Sequence, residues 1–233
     1  MSGVEFVKKK VFYTELSYVF GLFIMAFAAA FTEKADFGLS MVVAPAYIIH
    51  LKVSQFLPWF TFGVAEYCFQ GILLILTVII MRKIKLSYFL SFVTAIIYGT
   101  LLDCAMALIA PLPDDTFALR IVWFLIGTVS CSFAVSLFFH TYLAPESYEL
   151  IVKEISSKTN KDINKIKMAY DCSSVILGIV LSFAFFGFGV FRGVKLGTVF
   201  CAVINSLLIG RFSGLLEHHF EFRNRFNLEK YFR

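Results

Sequence analysis

The stretch Trp59–Met81, WFTFGVAEYCFQGILLILTVIIM, decides the fold class. Its only carboxylate is Glu66, it contains no basic residue, and it is closed by Arg82, Lys83 and Lys85. At about 1.5 Å per residue, a helix of this length crosses the roughly 30 Å hydrocarbon core of a bilayer. Five more runs of the same kind follow from the same criterion: Val11–Phe31, Leu86–Ala110, Phe117–Leu143, Met168–Phe191 and Leu196–Leu216. The composition agrees, with 59% of the 233 residues hydrophobic, 29 of them Phe, and only 16% charged. A soluble domain runs about 45–50% apolar and about 25% charged, so soluble enzymes, disordered tails and disulfide scaffolds are excluded. The expected fold is an all-α polytopic membrane protein with six transmembrane helices.

Orientation follows from the basic residues. The net charge of +5 is spread between the apolar runs and forms no single stripe, so it reads as membrane topology and not as a nucleic-acid surface. If the N-terminus is cytoplasmic, the cytoplasmic segments hold 16 of the 21 Lys and Arg residues, and Lys34, Lys52, Arg120, Arg192 and Lys195 lie outside. Both termini are therefore expected on the cytoplasmic side of the cytoplasmic membrane. MSGVEFVKKK is followed by an apolar run without a small-residue cleavage site, and reads as the lead-in to a retained first span. Cys68, Cys104, Cys131, Cys172 and Cys201 stand singly in apolar stretches, without a CxxC pair, and read as small buried thiols.

Two connections are unusual. Thr32–Pro58 contains an apolar piece, residues 38–50, that is too short to span. Ala144–Lys167 is polar but helical in pattern, with Pro145 suited to a first helical position and a short helix expected over 145–156. The two share a signature, Ala44-Pro45-Ala46-Tyr47 against Ala144-Pro145-Glu146-Ser147-Tyr148. Upstream, YVFG (18–21) matches FLIG (124–127); downstream, Glu66-Tyr67-Cys68 matches Tyr170-Asp171-Cys172; and FVTAIIYGTLLD (92–103) matches VFCAVINSLLIG (199–210). Spans one to three therefore resemble spans four to six in the same order. Because three is odd, the second half enters the membrane from the opposite side, which defines two inverted three-helix repeats with a pocket where they meet. The expected division is a first repeat over 1–110, a second over 111–216 and a basic cytoplasmic tail over 217–233.

Ionisable groups inside a span are costly and persist where they face a cavity or a partner. Glu66 and Gln70 share a helix face at i, i+4, with Tyr67 adjacent. Asp103, Asp171 beside Tyr170, and Glu15 lie nearer the span ends, and Asn205 is the repeat mate of Tyr98. Together these residues are the candidate ligand-binding set, with Glu66 and Asp171 as its leading pair. Carboxylates there bind a cationic group or exchange a proton. The alternative is that Glu15, Asp103 and Asp171 reach to the interfaces and Glu66 hydrogen-bonds a neighbouring helix. Lys34 and Asp36, in EKADFG, are candidates for gating the outer mouth, or else form a loop pair. Ser206, Gly210 and Gly214 make a small-residue row suited to close helix packing. No metal, cofactor or nucleophile signature is present, and the adjacent His218 and His219 point to different helix faces.

The stretches EKADFGLSMVVAPAYIIHLKV, FGVAEYCFQGILLIL, RKIKLSYFLSFVTAIIYGTLLD and GVKLGTVFCAVINSLLIGRFSG resemble the bacterial YczE/YyaS/YitT family of small integral membrane proteins. The likeness covers nearly all of residues 10–216 and is closest to the YczE-like branch, which lacks the soluble C-terminal domain of the YitT branch. It implies a multi-span membrane protein and carries over no catalytic residue. The expected function is a small secondary transporter, not an enzyme, for a small polar or cationic solute, with proton coupling as an option. Two alternatives stand beside it: a solute-binding subunit that docks on an energy-coupling module through Ala26–Ala30, and a non-transporting accessory protein. The expected surroundings are membrane lipid and a small-molecule substrate, with a homodimer or a coupling subunit as protein partner.

Overall fold

The computed structural model describes residues 9–143 and 146–226; within it the side chains of residues 163, 164, 202, 203 and 206 lie outside the description. The chain forms β1 (Lys10–Tyr13), α1 (Thr14–Ala35), α2 (Ala44–Val53), α3 (Phe62–Met81), α4 (Leu86–Ile109), α5 (Phe117–Phe139), α6 (Ser147–Thr159), α7 (Ile163–Phe186), α8 (Leu196–His219) and β2 (Phe220–Arg223). Among the described residues, five helices are long and apolar enough to cross a membrane: α1, α3, α4, α5 and α7 from Lys165. Their apolar side chains face both inward and outward. Ile72, Ile75, Ile79, Phe89, Ile176 and Val180 are exposed on the bundle surface, as expected of helices whose outer face meets lipid.

The span boundaries shift from the sequence expectation for local reasons. Val11–Tyr13 does not begin the first helix. It pairs in parallel with Phe220–Arg223, and Phe12 packs on Phe220 and Phe222 at 5.5 and 5.8 Å. Residues 220–223 of the expected tail are thus a strand tied to the start of the chain. Helix α1 then runs four residues past Phe31, and Asp36 ends it in the left-handed conformation at φ 55°, a geometry that Asp tolerates better than most residues. Lys34 therefore sits in the last turn of the helix, not beyond it. The break foreseen between the two polar helical pieces is at Asn160, and Ile163–Met168 merges into α7. The Ala144–Pro145 pair lies outside the described residues.

Helix packing rests on small residues, at positions other than those foreseen. Ala26, Ala28, Ala29 and Ala30 are buried, and a Cβ at Gly127 of α5 would meet the Ala28 carbonyl at 2.9 Å. The face read as a dock for a coupling subunit is therefore filled by the chain's own fifth helix. Helices α3 and α4 touch at Gly63 and Gly99, where a Cβ on either would collide with the other's carbonyl. Gly210 and Gly214, by contrast, are exposed with open space around them, so they are not in a helix contact.

The short helices α2 and α6 start inside the bundle and run outward to opposite ends. Glu154 and Lys158 of α6 reach the end of the bundle where α3 stops, pairing with Lys85 at 2.5 Å and with the Ile80 carbonyl. His50 of α2 bonds the Phe60 carbonyl at the other end, where α3 begins. Near the middle, Ala46 and Val42 meet Tyr148, Phe69 and Leu73 in one apolar cluster. The helix contacts repeat on exchange of the first four helices for the last four: α1 packs on α5, α1 on α4 as α5 on α8, α2 on α3 as α6 on α7, and α2 on α7 as α6 on α3. Two contacts have no comparable mate among the described residues: α3 packs along α4 without an α7–α8 counterpart, and α4 meets α6 without an α8–α2 counterpart.

Candidate functional site

The polar centre is built where α6 enters beneath α3 and α4. Glu66 and Gln70 are each 0% exposed. The i, i+4 spacing turns both toward α6, whose first residues supply the partners: Tyr148 donates its hydroxyl to Glu66 Oε2, and the Ser147 amide donates to Gln70 Oε1 at 3.1 Å. Gln70 Nε2 then donates to Glu146 Oε2 at 3.4 Å. One oxygen each of Glu66 and Glu146 is buried without a hydrogen-bond partner, an arrangement that native proteins rarely leave unused.

These groups border a cavity of about 130 Å³. Its wall includes Glu146, Tyr148 and Glu149 from α6 and the residue before it, Lys167 and Asp171 from α7, Tyr98 from α4, and Cys201 and Asn205 from α8. Met25, Leu39, Val43 and Phe138 supply apolar wall, and Thr32, Ser40 and Thr128 add hydroxyl groups. Glu66 lies one layer behind, joined to the cavity through Tyr148. Burial, and then the charges of Glu66 and Glu149, push the Glu146 carboxyl well above the usual carboxylate range. Burial also raises Glu149, against the pull of Lys167 and Lys153.

The residues expected at the site divide clearly. Tyr98, Asp171 and Asn205 line the cavity, with Asp171 3.5 Å from Lys167 and Asn205 accepting from Ser132 at 3.0 Å. Glu66 and Gln70 form the buried network behind it. Tyr170 packs beside Tyr148 and hydrogen-bonds Ser174. Tyr67 stands against Gly99 at the α3–α4 contact. Asp103 accepts from Thr61 Oγ1 at 2.5 Å and from the Gly63 amide at 2.8 Å, fixing the start of α3 outside the cavity wall. Glu15 accepts from Tyr142 and from the amides of Arg225 and Phe226 at 2.8–3.0 Å, holding the segment after β2.

Lys34 and Asp36 do not pair with each other. Lys34 donates to the Ala110 carbonyl at 3.0 Å and lies 3.7 Å from Asp114, whereas Asp36 pairs with Lys195 at 2.5 Å and Arg120 at 3.2 Å. Both line a second hollow of about 290 Å³ with Glu33, Tyr47 and Arg192. There Tyr47 donates to Glu33 at 2.9 Å, so each tyrosine of the repeated Ala-Pro signature holds a carboxylate. Glu146, Tyr148, Glu149, Lys167 and Glu33 were not singled out from sequence. The signal for two of them, Glu146 and Tyr148, lies inside the repeated signature itself, beside the mate tyrosine Tyr47.

Among the described residues, eight helices surround a buried carboxylate network and five of them are fit to cross a bilayer, which defines a multi-span helical membrane protein. The chain belongs to the family of unknown function DUF6198, whose model matches residues 12–214. No curated protein and no solved structure matches it.

Proposed function

We propose that the chain is a small secondary transporter of the cytoplasmic membrane, with both termini cytoplasmic and α8 as its sixth span. Helices α1, α3 and α4 form one half and α5, α7 and α8 the inverted other, with α2 and α6 as matched half-helices at the two mouths. The mirrored helix contacts support the repeat, and the distribution of Lys and Arg supports the orientation. Inverted halves exchange conformations around a fixed central site, so the cavity between them faces each side in turn. Kinship with the YczE/YyaS/YitT group belongs to the same proposal and rests on the stretches quoted above.

The observation that carries the reading is the pair of glutamates with a buried, unpartnered oxygen, Glu66 and Glu146, together with Asp171, which Lys167 holds, in and behind a cavity flanked by both halves. Uptake of candidate solutes into proteoliposomes tests it. Glu66→Gln and Asp171→Asn are expected to abolish saturable uptake, and unchanged uptake in both variants would remove the carboxylates from the mechanism. A second reading, a solute-binding subunit on an energy-coupling module, is favoured by the unpacked α7–α8 side, where Ile176, Val180 and Val199 are exposed. Co-purification with an ATPase would select it, and uptake by the purified chain alone would exclude it.

A further inference from the structure

Three carboxylates, Glu146, Glu149 and Asp171, face one base, Lys167, across the cavity. Lys167 is engaged by Asp171 one helical turn away at 3.5 Å, and a bound cation would offset the burial that opposes ionisation of Glu146. Two groups in the wall are incomplete. The Glu146 Oε1 atom is buried with no partner. Tyr98 is 1% exposed and lines the cavity, and no described residue hydrogen-bonds its hydroxyl. Buried polar atoms are satisfied in native structures, by protein, water or ligand. Here a single donor seated between α4 and the start of α6 would serve both.

We infer that the cavity binds a small organic monocation, an amine with a short branched apolar body. Its ammonium group donates to Glu146 and Tyr98, and its hydrocarbon lies against Met25, Leu39 and Phe138. An alkali ion would leave that apolar half of the wall empty. Size sets the other limit. A cavity of about 150 Å³ holds benzene, so a volume of about 130 Å³ takes a molecule of about six heavy atoms. The inference deepens the transport reading and rests on it for the passage of the solute, but binding is measured independently of passage.

The test uses the full chain in lipid nanodiscs at pH 8 and three probes of one shape: isopentylamine, isopentanol and isovalerate. The amine remains protonated at this pH, since alkylammonium groups titrate near pH 10. A saturable rise in melting temperature is expected with isopentylamine. Isopentanol, which enters lipid at least as well, should bind at least about tenfold more weakly, because only the amine forms a charge-assisted hydrogen bond. Isovalerate should not bind. Glu146→Gln should remove the preference for amine over alcohol, and Tyr98→Phe should weaken amine binding about threefold or more. Equal binding of amine and alcohol by the natural chain, tighter binding of isovalerate, or no saturable amine effect up to about 10 mM would each overturn the inference without any variant. Amine binding without uptake by proteoliposomes would uphold the cation site and defeat the transport reading. Saturable uptake of another solute without amine binding would do the reverse.

Discussion

Gly99→Ala should destabilise the fold, while Gly210→Ala should not. At Gly99 the added methyl group would sit 2.5 Å from the Gly63 carbonyl oxygen, 3.2 Å from its carbon and 3.1 Å from the Tyr67 ring. Two of those three atoms are backbone, so the clash is relieved only by moving α3 and α4 apart. Ordinary carbon–oxygen contact begins near 3.4 Å, which requires a separation of roughly 1 Å along the whole helix pair. Overpacking of this kind costs about 1–3 kcal/mol. The helix-propensity gain of Ala over Gly, about 1 kcal/mol, offsets part of it. The difference is about 0–2 kcal/mol, and displaced Tyr67 packing raises its lower end to about 1 kcal/mol. At Gly210 nothing lies within 4 Å of the built Cβ. Only the propensity term operates there, so that variant should be neutral or up to about 1 kcal/mol more stable.

The buried thiol of Cys201 supplies the assay in a background where the exposed Cys68, Cys104 and Cys172 and the half-buried Cys131 are replaced by Ser. A thiol-reactive dye reports its exposure as the protein melts in detergent. For a chain of this size 1 kcal/mol corresponds to roughly 2–4 °C, so Gly99→Ala should melt about 2–8 °C lower and Gly210→Ala level with the natural chain or slightly higher. The contrast carries the reasoning. If Gly210→Ala were the damaging substitution, the small-residue row read from sequence would be the true helix contact, and the α3–α4 glycine contact would be wrong. If Gly99→Ala melted at the natural temperature or above, the close approach at Gly63 would likewise be refuted.

Glu146→Gln should change how stability depends on pH. The folded carboxyl titrates above its unfolded value, so the folded state binds more protons and this group's stabilisation is complete in acid and lost as pH rises through the raised value. Relative to the natural chain, the variant should therefore gain melting temperature steadily above the ordinary carboxylate range; a constant offset at every pH would contradict the burial of Glu146. Asp36→Asn keeps the left-handed cap but loses the ion pairs to Arg120 and Lys195. Because the Asp36 side chain is 63% exposed, the loss should stay within about 1 kcal/mol and shrink further in high salt; a salt-independent drop of several degrees would show that the clasp is buried. Glu15→Gln should weaken the hold on residues 225 and 226, seen as faster limited proteolysis after β2 with little change in melting temperature, and an unchanged cleavage rate would dismiss the tether.

What could be read from the sequence was what depends on composition over a whole helix. The membrane class and the helices at Phe62–Met81, Leu86–Ile109 and Phe117–Phe139 follow from the run length of apolar residues, which a bilayer fixes directly, and the two short helices from an apolar piece too short to span and a polar segment of helical pattern. The β1–β2 pair was hidden because Val11–Tyr13 is as apolar as the span it precedes, and its partner lies 210 residues away in register; hydropathy carries no information about such pairing. The same limit explains the glycines. A row at i, i+4, i+8 marks one helix face, but whether a second helix lies against that face is set by the packing of all the others.

The candidate site shows where pattern and geometry part. Asp103 and Glu15 were drawn to the site by the rule that a carboxylate within a span needs a cavity or a partner. The structure gives both of them backbone amides as partners, at the start of α3 and in the segment after β2, which meets the same requirement without a ligand. Glu146, outside every span, was passed over by that rule although it lines the hollow and keeps one buried oxygen without a partner. The physical reason is that α6 starts within the bundle. A polar connection between spans is normally assigned to water, yet a half-helix that begins inside carries its leading residues to membrane depth, where they must be paired, protonated or occupied. Tyr47 and Tyr148 locate that depth on the two halves, each donating to a glutamate on a spanning helix. An Ala-Pro signature repeated with a following tyrosine is therefore more informative about the site than any acid within the apolar runs, since it marks the two places where the chain turns back toward its own centre.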